Sequence, residues 1–306
     1  MTLAQLRYAV AVDTHRHFGR AADACFVSQP TLSAALKKLE AELGTVLFDR
    51  SRQPVVPTAA GERVIAQARV VLREAAALAG AAGQGEEPAG PLRLGVIPTV
   101  AESLLPLVAG PFASRYPKVE LSILELTTEA ILEQLATERI DAGILATQEE
   151  RAGLQTEVLY AEPFVAYVGE GHRMEADPEV ACERLSPGDV WLLSEGHCFR
   201  DQVLHLCGSA PSGEAARSVR FESGSLETLR RMVDRTGGVT LLPRLATHHL
   251  GPSQVARLRP LAAPAPQREV RMVTLRAHLK RHTLAAFADV VREVVRGATG
   301  SEADEV

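Results

Sequence analysis

The residues best equipped for chemistry lie in one string, WLLSEGHCFRDQVLHLC, from Trp191 to Cys207. Gly196, His197 and Cys198 follow a short apolar run, Val190 to Leu193, that reads as a strand, and they open a helical stretch. A thiol there sits near the positive end of a helix dipole, with His197 and Arg200 beside it. Each of these favours thiolate, the form that attacks a peroxide. Asp201 opposes this locally, yet it could hold Arg200 or accept a proton. Cys207 follows nine positions later, among Val203, Leu204 and Leu206. If the stretch between them is helical, the two Cα atoms stand about 13 Å apart along the axis and on opposite faces. A disulfide needs Cα atoms within roughly 7 Å. The two cysteines can therefore bond only if the helix melts or rewinds, and such a bond would act as a conformational switch. Two other readings stay open. Cys207 could be a core cysteine, since a free thiol behaves as a small hydrophobe. His197, Cys198, His205 and Cys207 could ligate zinc, although no paired C-x-x-C supports it. Cys25, at the end of an Ala-rich helix, and Cys182, beside Glu183 and Arg184, read as structural.

A second constellation lies near the N-terminus. Arg20 to Cys25 reads as a short helix and Phe26-Val27 as a turn, with Ser28 as N-cap of the next helix and Pro30 tolerated in its first turn. Leu32, Leu36, Leu39 and Leu43 form the apolar stripe of that helix, which stops at Gly44. Two short helices joined this way resemble a helix-turn-helix. Gln29, Thr31 and Ser33 are small or amide-bearing and can reach base edges. Lys37 and Lys38 on the helix, and Arg50 and Arg52 on a β-wing between Val46 and Thr58, can neutralise phosphates. A plain three-helix domain with a polar face shows the same pattern. Charge favours the nucleic-acid reading. The whole chain is at -5, but residues 1–85 carry ten basic and seven acidic groups (+3), while residues 86–306 carry 23 and 31 (-8).

These sites need elements to hold them. Thr58 caps a helix reaching about Leu78, on which Val64, Ala68, Val71, Ala75 and Leu78 recur as a short heptad seam, with Ile65, Leu72 and Ala79 beside it. Packing on its own domain and dimerisation both account for this seam; we favour dimerisation. Gly80 to Gly90, GAAGQGEEPAG, reads as a linker. Beyond it, strands alternate with helices. Leu92 to Ile97, Val119 to Leu124, Ala142 to Leu145, Phe164 to Val168, Val190 to Leu193, Val239 to Leu242 and Val270 to Leu275 read as strands, and Leu104 to Arg115, Glu129 to Arg139 and Leu226 to Arg235 as helices. The alternation predicts a parallel sheet with helices on both faces, split near Glu162-Pro163 into two lobes around a ligand cleft. With 306 residues there is room for two domains, and at 4% aromatic content the cores must be built from Ala, Val and Leu. No apolar run approaches the ~20 residues of a membrane span. No signal peptide is evident, so a cytoplasmic protein with reduced thiols is expected.

The N-terminal string AADACFVSQPTLSAALKKLEAELGTVLFDR, followed by Pro57-Thr58-Ala59-Ala60-Gly61, resembles the signature of LysR-type transcriptional regulators. The resemblance is dense over residues 1–65 and implies an α/β protein in four parts. These are a winged helix-turn-helix (1–58), a linker and dimerisation helix (59–80), a hinge (81–90) and a two-lobed effector domain like periplasmic binding proteins (91–306). Lobe I would comprise 91–162 and 269–306, and lobe II 163–268. The string Gly-His-Cys-Phe-Arg-Asp-Gln with a second Cys nine residues on is similar to the hydrogen-peroxide-sensing OxyR branch of that family. Phe221-Glu222-Ser-Gly-Ser-Leu-Glu-Thr-Leu-Arg and Gly-Val-Thr-Leu-Leu-Pro, ending at Pro243, continue the likeness.

The resemblance implies that Cys198 is the peroxidatic cysteine, oxidised to a sulfenic acid, and that Cys207 is the resolving cysteine. It also implies that Thr99, Thr128, His197 and Asp201, with Arg268 as the candidate late arginine, hold the peroxide. An N-cap role explains either threonine equally well. The DNA contacts implied are Ser28, Gln29, Pro30, Thr31, Ser33, Lys37, Lys38, Arg50 and Arg52. No metal or cofactor is implied. The partners are promoter DNA, hydrogen peroxide, a cellular dithiol reductant and further copies of the chain, as homodimer and homotetramer, with no membrane. The protein would react chemically without being an enzyme. A metabolite-responsive regulator of the same family, or a thiol peroxidase, are the alternatives.

Overall fold

The computed structural model describes residues 1–81, 87–149, 151, 153–185, 190–194, 198–206, 224–276 and 280–299. They fall into two compact units, with the chain passing from one to the other at about residue 86.

The first unit is built by its caps. Thr2 and Gln5 form a capping box that starts α1 (Leu3–His15), and His17 Nδ1 accepts from the Gly19 and Arg20 amides to start α2 (Phe18–Ala24). Ser28 Oγ accepts from Thr31 N at the head of α3 (Gln29–Leu43), and Gly44 ends that helix at φ 66°, a left-handed conformation that glycine adopts without strain. Leu32, Leu36 and Leu39 are buried, but Leu43, the last of the expected stripe, is exposed, because it lies on the final turn. Strands β1 (Phe48–Asp49) and β2 (Val56–Pro57) pair antiparallel as the wing. Thr58 Oγ1 accepts from Gly61 N at 2.9 Å at the start of α4 (Ala59–Ala81). Ile65 and Ala68 of α4 join the core of this unit, whereas Leu78 is 77% exposed. The seam is thus divided, its first half spent on the domain's own packing and Leu78 left open.

The second unit contains β3 (Gly90–Val96), α5 (Pro98–Arg115), β4 (Val119–Glu125), α6 (Thr128–Ala136), β5 (Ala142–Leu145) and β6 (Leu154–Val168). It continues with α7 (Cys198–Leu206), α8 (Leu226–Thr236), β7 (Val239–Pro243), α9 (Pro252–Val255), β8 (Leu258–Pro260), β9 (Gln267–Leu275) and α10 (Arg281–Thr299). The strand order is β4-β3-β5-β9-β6-β7, with β8 also on β6. Two apolar cores lie along it. One is centred on Leu94, Phe112, Ile144 and Phe287, the other on Tyr167, Trp191, Leu229 and Leu241.

Two expectations are corrected here, and a third takes a different form. The sheet is mixed: β3 is parallel to β4 and β5, but β5–β9, β6–β9, β6–β7 and β6–β8 are antiparallel. Parallel neighbours require a crossover, and α5 and α6 supply the two that exist, while β9 returns between β5 and β6 from the far core. Val190 to Leu193 is not a strand: Val190 makes one bridge, to Val239, and Trp191 N donates to Val239 O at 2.7 Å. The change of core falls at Glu162-Pro163, where the two lobes were expected to divide, but the strand runs on through it. The pair lies inside the 15-residue β6, which serves the first core with Leu159 and Tyr160 and the second from Phe164 onward. Proline is tolerated because its missing N–H falls opposite Gln267, near the start of β9.

Candidate functional site

Cys198 is the first residue of α7, half-buried against the first core. Around it the two lobes meet. Thr99 stands at the start of α5, after β3, and is buried. Thr128 opens α6, after β4, and its hydroxyl hydrogen-bonds the Cys198 thiol. Neither threonine caps its helix: Thr127 Oγ1 accepts from Ala130 N for α6, and α5 begins at Ile97 with no side-chain cap. The capping explanation of both is therefore removed.

Arg268 comes from β9, paired in register with Glu162 of β6. Both side chains are 1% exposed, and the guanidinium contacts Glu162 Oε1 through Nε at 3.0 Å and Nη2 at 2.9 Å. Nη1 donates to Thr99 Oγ1 and Nη2 to the Thr99 carbonyl, each at 3.1 Å. The cation also lies 5.4 Å from the ring centroid of Phe199, the residue after the thiol. A cavity of about 10 Å³ opens among Ile97, Pro98, Thr99, Thr127, Thr128, Cys198 and Phe199, room for roughly one water-sized molecule. On the other side of Cys198 lies a wider cleft of about 370 Å³, lined by Thr147, Phe164, Asp201, Gln202 and His205 among others.

Burial pushes the Cys198 thiol above its ordinary range, against the Thr128 hydrogen bond, the Arg268 charge and the backbone amides at the helix start. The helix start favours thiolate as expected, but it is outweighed by burial, and the part expected of Arg200 is corrected. Arg200 turns away, its Nη1 donating to Leu193 O at 2.9 Å, so the cation that lowers the thiol is Arg268, from the far end of the chain. Asp201 is exposed on α7, and its carbonyl meets His205 Nδ1 at 2.7 Å. Seven positions of helix separate Cys198 from His205, about 10 Å of rise, too far for both to hold one zinc ion. His197 and Cys207 lie outside the described residues. Cys25 and Cys182 are half-buried against the cores of their own units.

In the first unit, Gln29, Pro30, Thr31, Lys37 and Lys38 are exposed on α3, and Ser33 is half-buried. Ser28 is engaged as the cap, its Oγ 2.8 Å from Thr31 Oγ1. Arg50 braces the wing to α3, with Nη2 2.8 Å from Glu40 and Nη1 3.3 Å from Ser33, and its guanidinium lies 5.0 Å from the Phe18 ring centroid. Arg52 pairs with Asp49 at 3.2 Å. One feature here escaped the motif reading. Phe26, in the turn before α3, is 95% exposed and holds φ 56°, a costly conformation for an aromatic residue.

Residues 3–62 match the bacterial regulatory helix-turn-helix protein, lysR family, and residues 85–296 match the LysR substrate binding domain. The chain belongs to the LysR family. Within it, this LysR-family chain sides with OxyR. It is 36% identical over 303 residues to a hydrogen peroxide-inducible genes activator of Haemophilus influenzae, covering 97% of this chain and 99% of the relative. It is 37% identical over 298 residues to the DNA-binding transcriptional dual regulator OxyR of Escherichia coli, covering 97% of each. Full-length OxyR from Pseudomonas aeruginosa, solved as a point variant, superposes with a TM-score of 0.81 at 37% identity over 95% of both chains. A Corynebacterium glutamicum OxyR cysteine-to-serine variant with hydrogen peroxide bound superposes with a TM-score of 0.62 at 30% identity, covering 97% of this chain and 93% of that one.

Proposed function

We propose that this protein is a hydrogen-peroxide-responsive transcriptional regulator whose sensor is Cys198. The observation that carries the reading is the water-sized cavity in which a thiol, two threonines free of capping duty and a neighbour of a buried arginine converge. A cavity of this size suits a molecule little larger than water, as hydrogen peroxide is, and is far too small for an organic metabolite. In the reaction, the Cys198 thiolate attacks one peroxide oxygen as the O–O bond breaks. Sulfur gives up two electrons and becomes a sulfenic acid, and the departing hydroxide takes a proton and leaves as water. Thr99 and Thr128, with His197, hold the peroxide, Asp201 faces the wider cleft on the other side of Cys198, and the Arg268 charge stabilises both the thiolate and the leaving oxygen.

Cys207 then attacks the sulfenic acid, forming the disulfide and expelling water. Since α7 is helical to Leu206, closing that bond means unwinding it. That breaks the Gln202 donation to Ala146 O and the Arg200 donation to Leu193 O, which tie α7 to both lobes. The changed lobe surface rearranges a dimer of dimers on promoter DNA, held by the exposed half of α4. A cellular dithiol resets the switch by exchange, so the protein consumes an external reductant at each cycle and is a regulator, not an enzyme. It works in the cytoplasm, and no helix among the described residues is long and apolar enough to cross a membrane.

The test is mass spectrometry of every thiol after one equivalent of peroxide, with footprinting of the same sample. Cys198 is expected to be modified first, and the footprint to change with it. Cys198→Ser abolishes the response, while Cys207→Ser stalls oxidation at sulfenic acid or mixed disulfide. The wider cleft of about 370 Å³ beside Cys198 favours one competing reading, a metabolite-responsive regulator. That reading gains if Cys198 stays reduced while the other cysteines react.

A further inference from the structure

Glu162 has no part in the scheme above, yet it is 1% exposed and touches two segments distant in sequence. Its Oε1 receives Nε and Nη2 of Arg268. Its Oε2 accepts from Leu245 N at 2.8 Å, at the head of the turn Arg244–Thr247 that follows β7. A guanidinium has five N–H donors. Here Nε is spent on Glu162, Nη2 on Glu162 and the Thr99 carbonyl, and one hydrogen of Nη1 on Thr99 Oγ1. Among the described residues this leaves one hydrogen, on the same Nη1 that meets Thr99 at the cavity. Without Glu162 the fork keeps only Thr99 as a hydrogen-bond partner among the described residues, and the face of the Phe199 ring does not fix its rotation in its own plane. Tyr160, the other ionisable side chain beside the pair, is held protonated by burial and supplies no charge.

We propose that Glu162 is a positioning residue for the thiol–peroxide reaction, clamping Arg268 so that its last free N–H is presented to a peroxide oxygen between Thr99 and Cys198. The inference rests on the reading of Cys198 as the peroxide-reactive thiol. It assigns Glu162 a task opposite in sign to its charge. As an anion it lends no support to a thiolate; as a clamp it speeds the reaction.

That opposition supplies the test. Rates of Cys198 modification by hydrogen peroxide and by iodoacetamide, which needs thiolate but no oriented cation, are measured by mass spectrometry on the full chain at one pH. Glu162→Gln is expected to slow the peroxide reaction by about 10- to 100-fold, while alkylation stays level or quickens. Glu162→Asp, with the charge kept and the reach shortened, falls between wild type and Gln. In a double-mutant cycle with Arg268→Lys, adding Glu162→Gln costs no more than about threefold beyond the lysine variant alone, as expected for residues acting through one another. Equal loss with both reagents, or losses that multiply in the double variant, overturn the proposal. So does failure of both the Gln and Asp variants to fold, which makes Glu162 a folding residue. A wild-type Cys198 indifferent to peroxide removes the sensor reading and this inference together, whereas a reactive wild type matched by Glu162→Gln removes the inference alone.

Discussion

Ionising Cys198 is uphill in this structure, and the pH dependence of its oxidation follows from that. The thiol lies above the ordinary cysteine range because burial outweighs Thr128, Arg268 and the helix amides. Its reaction with peroxide should therefore climb by about tenfold per pH unit between pH 6 and 8, and level off only above about 8.5. Stopped-flow oxidation across that range checks it, and a plateau already reached at pH 6 would contradict the burial argument. Rapid sensing at neutral pH then depends on how well the minor thiolate is met by oriented donors. Sequence reading singled out Cys198 because a Gly-His-Cys string at a helix start is local. Nearness in sequence named Arg200 as the cation, whereas the charge arrives from Arg268, 169 positions from the Thr99 it meets, which only the family resemblance had offered. No spacing rule reaches that far.

Among the elements, the caps were the most legible, since Ser28, Thr58 and Gly44 each act within three or four residues. The motif ending at Gly61 acquires a physical reason: a Cβ there would stand 2.0 Å from the Leu47 carbonyl oxygen. Gly61→Ala should cost the N-terminal unit about 2–3 kcal/mol, read by thermal melting of residues within that unit. In the second lobe, α8 is tied down by Arg230, which is 7% exposed, forks onto Glu227 and Asp234 at 2.7 Å each and lies over the Tyr167 ring at 5.7 Å. Arg230→Ala leaves two carboxylates unpaired, and with their partial exposure the loss should be about 2 kcal/mol by denaturant titration. Glu227 is held below its ordinary value by its hydrogen bond to Arg230. Its contribution is thus full above the unfolded carboxyl value and fades as pH falls through the lower folded one, so acid should loosen this lobe. The long strand β6 escaped prediction because Pro163 reads as punctuation, and only its partner β9 shows that the missing N–H is harmless there.

For the whole molecule, the divided charge is the feature that matters in solution. The exposed Lys37 and Lys38 beside exposed Gln29 and Thr31 separate two contributions to DNA binding. Lys38→Ala should weaken binding on all sequences and reduce the log–log salt slope by about 1, while Gln29→Ala should relax sequence preference. Binding titrations at several salt concentrations distinguish the two. Leu78, exposed near the end of α4, gives the assembly its own test: Leu78→Asp should shift the chain toward monomer in sedimentation without lowering its melting temperature.

The order in which the ribosome delivers these parts adds a consequence in time. The DNA-reading unit is complete by about residue 86, while the site around Cys198 waits for Arg268, made 169 residues after Thr99. At roughly 5–20 residues per second, a growing chain can carry a folded DNA reader for about 10 to 35 seconds before Arg268 exists. Newly made molecules therefore enter service in a fixed sequence, address first and alarm last. Any chain cut short in that interval would be a binder deaf to its signal.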